Sequence, residues 1–172
     1  ASIIRQGKIL VMDDEEMVRE LARELWSIIG YEVGLARDGK EAIELYRKAK
    51  EVGKIIAASG HTLVVVFNYS GMLKIVGDAY KADGGKLEML YTVNDYDWDT
   101  SVYMKYLNEA HIKTEQESWH DMLLHLVRDT DLVICAGLSA GALAELGYMK
   151  WNYQEKKGRV RALIGIKDFL RY

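Results

Sequence analysis

The chain has 172 residues, of which 49% are hydrophobic and 28% charged, and its formal net charge is −3. This length suits one well-buried domain, and the composition has neither a basic excess for nucleic acid nor a polybasic patch for a membrane surface. No apolar run approaches the roughly 20 residues that span a bilayer, the start is unlike a signal peptide, and the single Cys135 forms no internal disulfide. We therefore expect a soluble, cytoplasmic protein.

The first half of the sequence alternates short apolar runs with amphipathic segments. A continuous apolar run predicts a strand over 8–12, as in a parallel sheet that is buried on both faces, and further strands are predicted over 31–36 and 61–67. The spacing of apolar residues predicts one helix that follows the acidic run 13–16 and stops at Gly30, and a second helix over 40–59. Gly53 lies inside the second helix, where glycine costs about 1 kcal/mol relative to alanine.

The second half continues the alternation. Helices are predicted over 71–82, about 116–128 and 141–154, and strands over 86–92, 131–136 and 160–166, with an acidic loop at 94–99. Strands that alternate with helices of this length are typical of parallel sheets covered on both faces. The sequence therefore predicts an α/β protein with a three-layer, doubly wound, mostly parallel sheet of five to six strands, flavodoxin-like or Rossmann-like. It leaves open which strand lies beside 8–12.

Residues from Gly7 to about Lys50 resemble the receiver domain of bacterial response regulators. The matching stretches are Lys8-Ile-Leu-Val-Met-Asp-Asp-Glu-Glu16, Gly30-Tyr-Glu-Val33, Ala36-Arg-Asp-Gly39 and Glu41-Ala-Ile43. In receivers the acidic pair after the first strand, here Asp13 and Asp14, helps to hold the magnesium used in phosphoryl transfer. The nucleophilic aspartate of that chemistry is missing from the third strand, residues 64–69. Asp13 and Asp14 are thus vestigial metal ligands or simply caps of the next helix.

From about Gly53 onward the sequence resembles the "lonely guy" (LOG), or lysine decarboxylase-like, phosphoribohydrolases. The matching stretches are Gly60-His-Thr-Leu-Val64, Val76-Gly-Asp-Ala79 with Gly84-Gly85, and Asp131-Leu-Val-Ile134 followed by Gly141 and Glu145. These enzymes have a Rossmann-like fold and cleave a nucleoside monophosphate between base and ribose phosphate. The resemblance implies Glu145 as a catalytic carboxylate and Ser139 and Gly141 as phosphate-binding residues.

The LOG motifs are incomplete in this chain. Val66 and Phe67 replace glycines, and their side chains block the approach of backbone to a phosphate. Met122 falls on or near the position of an arginine and cannot balance the charge of a phosphate. The later loop lacks its proline and keeps only Gly141 and Glu145 in place. Glu145 is therefore equally well interpreted as a solvated or capping glutamate.

A third, shorter stretch also bears on phosphate binding. Asn68-Tyr-Ser-Gly71 follows a valine strand and resembles the serine-bearing sugar-phosphate loop of sugar isomerase (SIS) domains. This resemblance adds Ser70 and Gly71 to the candidate phosphate-binding residues.

The two main resemblances meet inside the helix predicted over 40–59, without a linker. We interpret the chain as one domain made of a receiver-like fragment, about 1–52, and a LOG-like fragment, about 53–172. The leading hypothesis is an engineered chimeric α/β scaffold without established catalytic activity. The alternatives are a divergent nucleoside-monophosphate phosphoribohydrolase (N-glycosidase) and an unphosphorylatable receiver-like interaction domain. We expect no cofactor, at most weak binding of phosphate or nucleotide, no nucleic-acid or membrane partner, and a monomer or homodimer.

Overall fold

The computed structural model describes residues 8–28, 32–93, 100–136 and 140–166. In these ranges the protein has seven strands, five α-helices and one 3₁₀ helix, and every paired strand is parallel to its neighbour. The predicted α/β class with parallel strands is confirmed. The described strands form three small sheets, and there is one strand more than predicted. The chain divides into two compact units, Ala1–Ala49 and Lys50–Tyr172.

The described residues of the first unit form one βαβ arrangement. Strand β1 (Lys8–Met12) is followed by helix α1 (Glu16–Ile28) and strand β2 (Glu32–Ala36), and the long helix α2 (Gly39–Ala58) begins here. The two strands pair in register from Lys8 opposite Glu32 to Met12 opposite Ala36, so β2 lies beside β1. The cross-over helix α1 has no buried residue, although its apolar residues recur at helical spacing.

Side-chain capping fixes the start of α2. The Asp38 carboxylate accepts a hydrogen bond from the Glu41 amide at 2.8 Å, and the Glu41 carboxylate accepts one from the Arg37 amide at 2.7 Å. This exchange resembles a capping box, which satisfies amides that the helix itself leaves unpaired. The bond from the Glu41 amide also holds the pKa of Asp38 below its usual value.

The second unit begins with a three-stranded sheet in the order β3-β4-β5. Its strands are β3 (Val64–Val66), β4 (Glu88–Tyr91) and β5 (Ile112–Glu115), with helix α3 (Gly71–Ala82) and the 3₁₀ helix Ser101–Glu109 in the connections. The core of this region is apolar and includes the middle residues of β3 and β4, Val65, Met89 and Leu90. Its best-buried side chains are Phe67, Tyr69, Leu87, Met89, Leu90 and Met122.

An aromatic group lies at the carboxyl end of β3. The ring centroids of Phe67 and Tyr103 are 5.4 Å apart, and Trp119 lies 5.8 Å from Phe67 and 5.9 Å from Tyr103. Tilted and edge-on rings at these distances pack favourably. The group joins β3, the 3₁₀ helix and the next helix of the unit.

The rest of the second unit is a βαβ arrangement preceded by a helix. Helix α4 (Trp119–Arg128) leads into strand β6 (Leu132–Cys135), helix α5 (Ala140–Gln154) and strand β7 (Ala162–Gly165). The strands pair from Leu132 opposite Ala162 to Cys135 opposite Gly165. Helix α5 packs against α4, and its Asn152 side-chain amide donates to the Val127 carbonyl at 3.3 Å.

The sequence pattern predicts neither strand β5 nor the 3₁₀ helix. Strand β5 has a single strongly apolar residue, Ile112, among Lys113, Thr114 and Glu115, and among the described strands it pairs with β4 alone. A short edge strand with charged side chains lacks the apolar run that identifies a buried strand. The predicted loop at 94–99 lies outside the described residues.

Gly53 has a packing role that offsets its poor helix propensity. A Cβ atom at this position would lie 2.2 Å from the Val76 carbonyl oxygen and 2.9 Å from the Ala79 Cβ atom. Since no side chain fits there, glycine is what lets α2 approach the backbone of α3 so closely.

Candidate functional site

The acidic pair Asp13 and Asp14 directly follows β1. The Asp13 side chain accepts a hydrogen bond from the Glu15 amide at 2.9 Å, and its carbonyl accepts one from the Arg19 guanidinium at 2.7 Å. Asp13 is half-buried and Asp14 is exposed. The geometry thus gives Asp13 a structural role at the start of α1. Its role as a vestigial metal ligand stays a prediction.

The segment after β3 carries no carboxylate. Phe67 and Tyr69 are both fully buried, and Asn68 between them is half-buried with its side-chain oxygen 3.4 Å from the Ser70 hydroxyl. In a receiver this segment would bring the phosphate-accepting aspartate. Here Phe67 and Tyr69 pack in the core, and Ser70 occupies the N-cap position of α3.

Ser70 and Gly71 form the start of α3. Ser70 is the N-cap residue, but its hydroxyl makes no capping hydrogen bond, and Gly71 has a φ of 55°. A positive φ is readily adopted by glycine, so Gly71 suits the sharp entry into the helix. Free amides at a helix start attract anions weakly. Phosphate binding by Ser70 and Gly71 remains a prediction.

A small pocket lies between β6 and α5, at the carboxyl end of the strand. It has a volume of about 80 Å³, and its walls include Val133 and Cys135 of β6 and Ala142, Glu145, Leu146 and Met149 of α5. Open α/β sheets bind their ligands at the carboxyl ends of the strands, where the chain enters the next helix. Glu145 is the only charged side chain among the described residues of the pocket wall.

Burial changes the acidity of Glu145. Its carboxyl group is half-buried against apolar side chains, and this burial raises its pKa to about 7. No described residue supplies a hydrogen bond or a charge that offsets the loss of water. Glu145 is therefore poised to exchange a proton near neutral pH, a property that general acid–base catalysts also have.

The predicted phosphate-binding residues that the structure describes do not line the pocket that contains Glu145. Gly141 lies in the first turn of α5 but is not part of the pocket wall, and neither Ser70 nor Gly71 lines it. Ser139 lies outside the described residues. Sequence reasoning identified Glu145 from a motif but missed Cys135 as its neighbour in the pocket, because a lone cysteine gives no signal of its own.

Met122 and Phe67 belong to the core of the second unit. Both side chains are fully buried, Met122 on the inner face of α4 and Phe67 in the aromatic group with Tyr103 and Trp119. The position expected for a phosphate-binding arginine is therefore an apolar interior position. An arginine there would lose its hydration without a described partner.

A charged cluster on α3 was not singled out from the sequence. The Lys74 ammonium lies 2.5 Å from the Glu109 carboxylate, and the Lys81 ammonium lies 3.1 Å from Asp78 and 3.2 Å from Glu109. Partial burial opposes ionisation of both acids, but the lysines hold the pKa of Asp78 and of Glu109 below the usual values. The hydroxyl of buried Tyr69 donates to Asp78 at 3.2 Å. The two lysines and two carboxylates of this cluster offset one another in charge. The cluster links α3 to the 3₁₀ helix because Glu109 belongs to that helix.

Two structural features are absent from the described ranges. Within them, no three histidine, cysteine, aspartate or glutamate side chains are grouped so that they could hold a metal ion. None of the helices in these ranges combines the length and apolar character needed to cross a bilayer.

Comparison with known proteins identifies one region of similarity. The chain is 42% identical over 45 residues to the "Probable transcriptional regulator ycf27" of Porphyridium aerugineum, and 48% identical over 44 residues to the protein of the same name from Galdieria sulphuraria. Each match covers 26% of this chain. The chain contains a receiver-like region.

The extent of this similarity is limited. The matches cover 19% and 17% of the two ycf27 proteins, so the chain spans less than a fifth of their length. No family model matches the chain, and no solved structure matches it. The receiver-like region is thus about as long as the segment with receiver motifs in the sequence.

Proposed function

We propose that the chain is an engineered chimeric α/β scaffold, in which a receiver-like fragment of about residues 1–52 continues directly into a LOG-like fragment of about 53–172. One observation carries this proposal. The boundary between the two compact units falls at Ala49 and Lys50, inside helix α2, where the receiver resemblance of the sequence also ends. The unit boundary lies within a few residues of the predicted end of the receiver-like fragment, at about residue 52.

The nature of the junction supports the same proposal. Domains in natural proteins are usually joined through exposed linkers where few contacts cross. Helix α2 instead runs without interruption for 20 residues through the boundary. A receiver domain cut inside its second helix lacks its third strand and the nucleophile there. On this proposal the chain performs no phosphoryl transfer.

The test of lost phosphoryl transfer is a mass measurement. Incubation with a small-molecule phosphodonor and magnesium is expected to leave the intact mass of the protein unchanged, because residues 64–69 offer no carboxylate. A natural receiver domain treated in parallel serves as the positive control. An acid-labile phosphate adduct that maps to any aspartate of this chain would contradict the proposal.

A second candidate function is hydrolysis of nucleoside monophosphates. The observation that favours it is the Glu145 carboxyl, which has a pKa of about 7 at the carboxyl end of a parallel strand. Such a group would stabilise positive charge on a ribose only if the phosphate were anchored. Phe67 and Met122 are buried where the resemblance requires an open glycine loop and an arginine.

Release of adenine from AMP separates the two candidates. The scaffold proposal expects no release above that of a Glu145→Ala variant, which retains the backbone and lacks the carboxylate. The Met122→Arg variant is expected to show no gain, since it places a charge in the core rather than in a phosphate site. Release that Glu145→Ala abolishes would establish the hydrolase instead.

A third candidate is an interaction domain that needs no phosphorylation. It is favoured by the similarity to ycf27 proteins together with the exposed apolar face of α1, where Met17 is 81% and Ile28 is 78% exposed. An affinity pull-down tests it, with a Met17→Glu and Ile28→Glu double variant as the control. A partner retained by the wild type and lost by the variant would support this candidate over the scaffold.

A further inference from the structure

The pocket between β6 and α5 combines an apolar wall with one carboxyl group. Val133, Leu146 and Met149 present hydrocarbon and thioether groups, and Glu145 supplies the only charge among the described residues of the wall. A volume of about 80 Å³ is roughly half that of a cavity that accepts benzene. The pocket is therefore of a size for a ligand of a few non-hydrogen atoms.

The chemistry of the wall restricts what such a ligand can be. An anion would meet the Glu145 carboxylate and no described cation, so the pocket disfavours phosphates. Calcium and magnesium take six or more oxygen ligands and structural zinc takes four protein ligands, whereas the described wall offers one carboxylate and one thiol. A ligand with a short apolar body and one cationic head satisfies both parts of the wall, because the cation replaces the water that the carboxylate has lost.

We propose that this pocket binds a short primary alkylammonium ion, with the Glu145 carboxylate as counter-ion and the alkyl chain against Val133, Leu146 and Met149. The proposal does not depend on the scaffold function, since it involves binding without a chemical step. Few non-hydrogen atoms limit the affinity of so small a ligand to about the millimolar range.

The full-length protein with ¹³C-methyl-labelled methionine provides the assay. The Met149 methyl resonance, assigned with a Met149→Leu variant, is followed during titration with propylammonium chloride at pH 8. We expect a saturable shift of this resonance. Sodium chloride at equal ionic strength is the control for salt effects. Neutral 1-propanol is the control for binding of the alkyl chain alone.

Three variants test whether the Glu145 carboxylate is responsible for propylammonium binding. Glu145→Gln keeps the shape of the side chain, and we expect it to weaken propylammonium binding about tenfold or more, as for the loss of a charged hydrogen bond. Glu155→Gln makes the same charge change at an exposed position after α5 and is expected to bind like the wild type. Ala142→Leu fills the pocket and is expected to abolish binding while retaining the carboxylate.

Several results would overturn the proposal. They are the absence of a saturable shift in the wild type, equal affinity of Glu145→Gln and wild type, and equal affinity for 1-propanol and propylammonium. If Glu145→Gln fails to fold, Ala142→Leu decides, because wild-type affinity in a filled pocket would place the ligand elsewhere. Amide spectra of each variant verify the fold independently of binding.

Discussion

At the scale of single residues, Glu145 makes the stability of the protein depend on pH. Its pKa rises from 4.5 in the unfolded chain to about 7 in the folded protein, so the folded state binds more protons between these values. This contribution to stability is fully present below pH 4.5 and is lost as pH rises through 7. The loss is on the order of 3 kcal/mol.

A comparison of two glutamine variants measures this effect. Glu145→Gln should gain stability relative to wild type on going from pH 4.5 to pH 8 in urea unfolding experiments. Contributions that are common to the wild type and the variant cancel in the difference. Glu155→Gln, on an exposed residue, should show no such change. An equal pH profile of wild type and Glu145→Gln would show that Glu145 ionises freely in the folded protein.

Two glycines within helices allow a matched test of packing. An alanine at Gly53 would place its Cβ atom 2.2 Å from the Val76 carbonyl, whereas nothing lies within 4 Å of a Cβ at Gly147. Gly53→Ala should therefore lower the free energy of unfolding by about 1–3 kcal/mol through overpacking. Gly147→Ala should raise it by about 0.5–1 kcal/mol through helix propensity. Thermal unfolding of both variants measures the contrast, and stabilisation by Gly53→Ala would disprove the close approach of α2 and α3.

At the scale of the helix, capping distinguishes α4 from α3. The Ser118 hydroxyl accepts a hydrogen bond from the Asp121 amide at 3.2 Å, while the Ser70 hydroxyl makes no capping bond. Ser118→Ala should destabilise the protein by about 1 kcal/mol, and Ser70→Ala should be close to neutral. Chemical unfolding midpoints provide the measurement. Equal effects of the two variants would contradict the difference between the two helix starts.

The start of α1 tests whether a metal site survives there. Asparagine at position 13 retains the oxygen that accepts from the Glu15 amide, so Asp13→Asn should be neutral or slightly stabilising because it removes repulsion by Asp14. Magnesium should not shift the melting temperature of either protein. A magnesium-dependent rise in the wild type that disappears in Asp13→Asn would show a working receiver metal site.

Elements with strong local signals were predictable, and those that depend on distant partners were not. The helix predicted over 71–82 has the observed bounds, because Gly71 begins it and the turn at Gly84 follows its end. Strand β5 has too few apolar residues to be recognised, since its pairing with β4 is what makes it a strand. The candidate carboxylate, Glu145, came from a motif, but its raised pKa reflects the side chains of β6 and α5 around it.

At the scale of the whole molecule, the two units differ in how much they bury. Helix α1 has no buried residue and accompanies a two-stranded sheet, which is marginally stable by itself, whereas β4 lies between two strands and carries fully buried Met89 and Leu90. Native-state hydrogen exchange should therefore be slowest in β4 and much faster in α1. Comparable protection of the two elements would show that α1 is buried in solution.

The aromatic group at the end of β3 has an optical consequence. Trp119 is half-buried and lies 5.9 Å from Tyr103, whereas Trp26 and Trp151 are 40% and 68% exposed. Light absorbed by the Tyr103 phenol at this distance is passed efficiently to the Trp119 indole, which should emit at shorter wavelength than the two exposed indoles. Tyrosine-excited fluorescence on the blue side of the emission band therefore reports on the packing of β3, the 3₁₀ helix and α4.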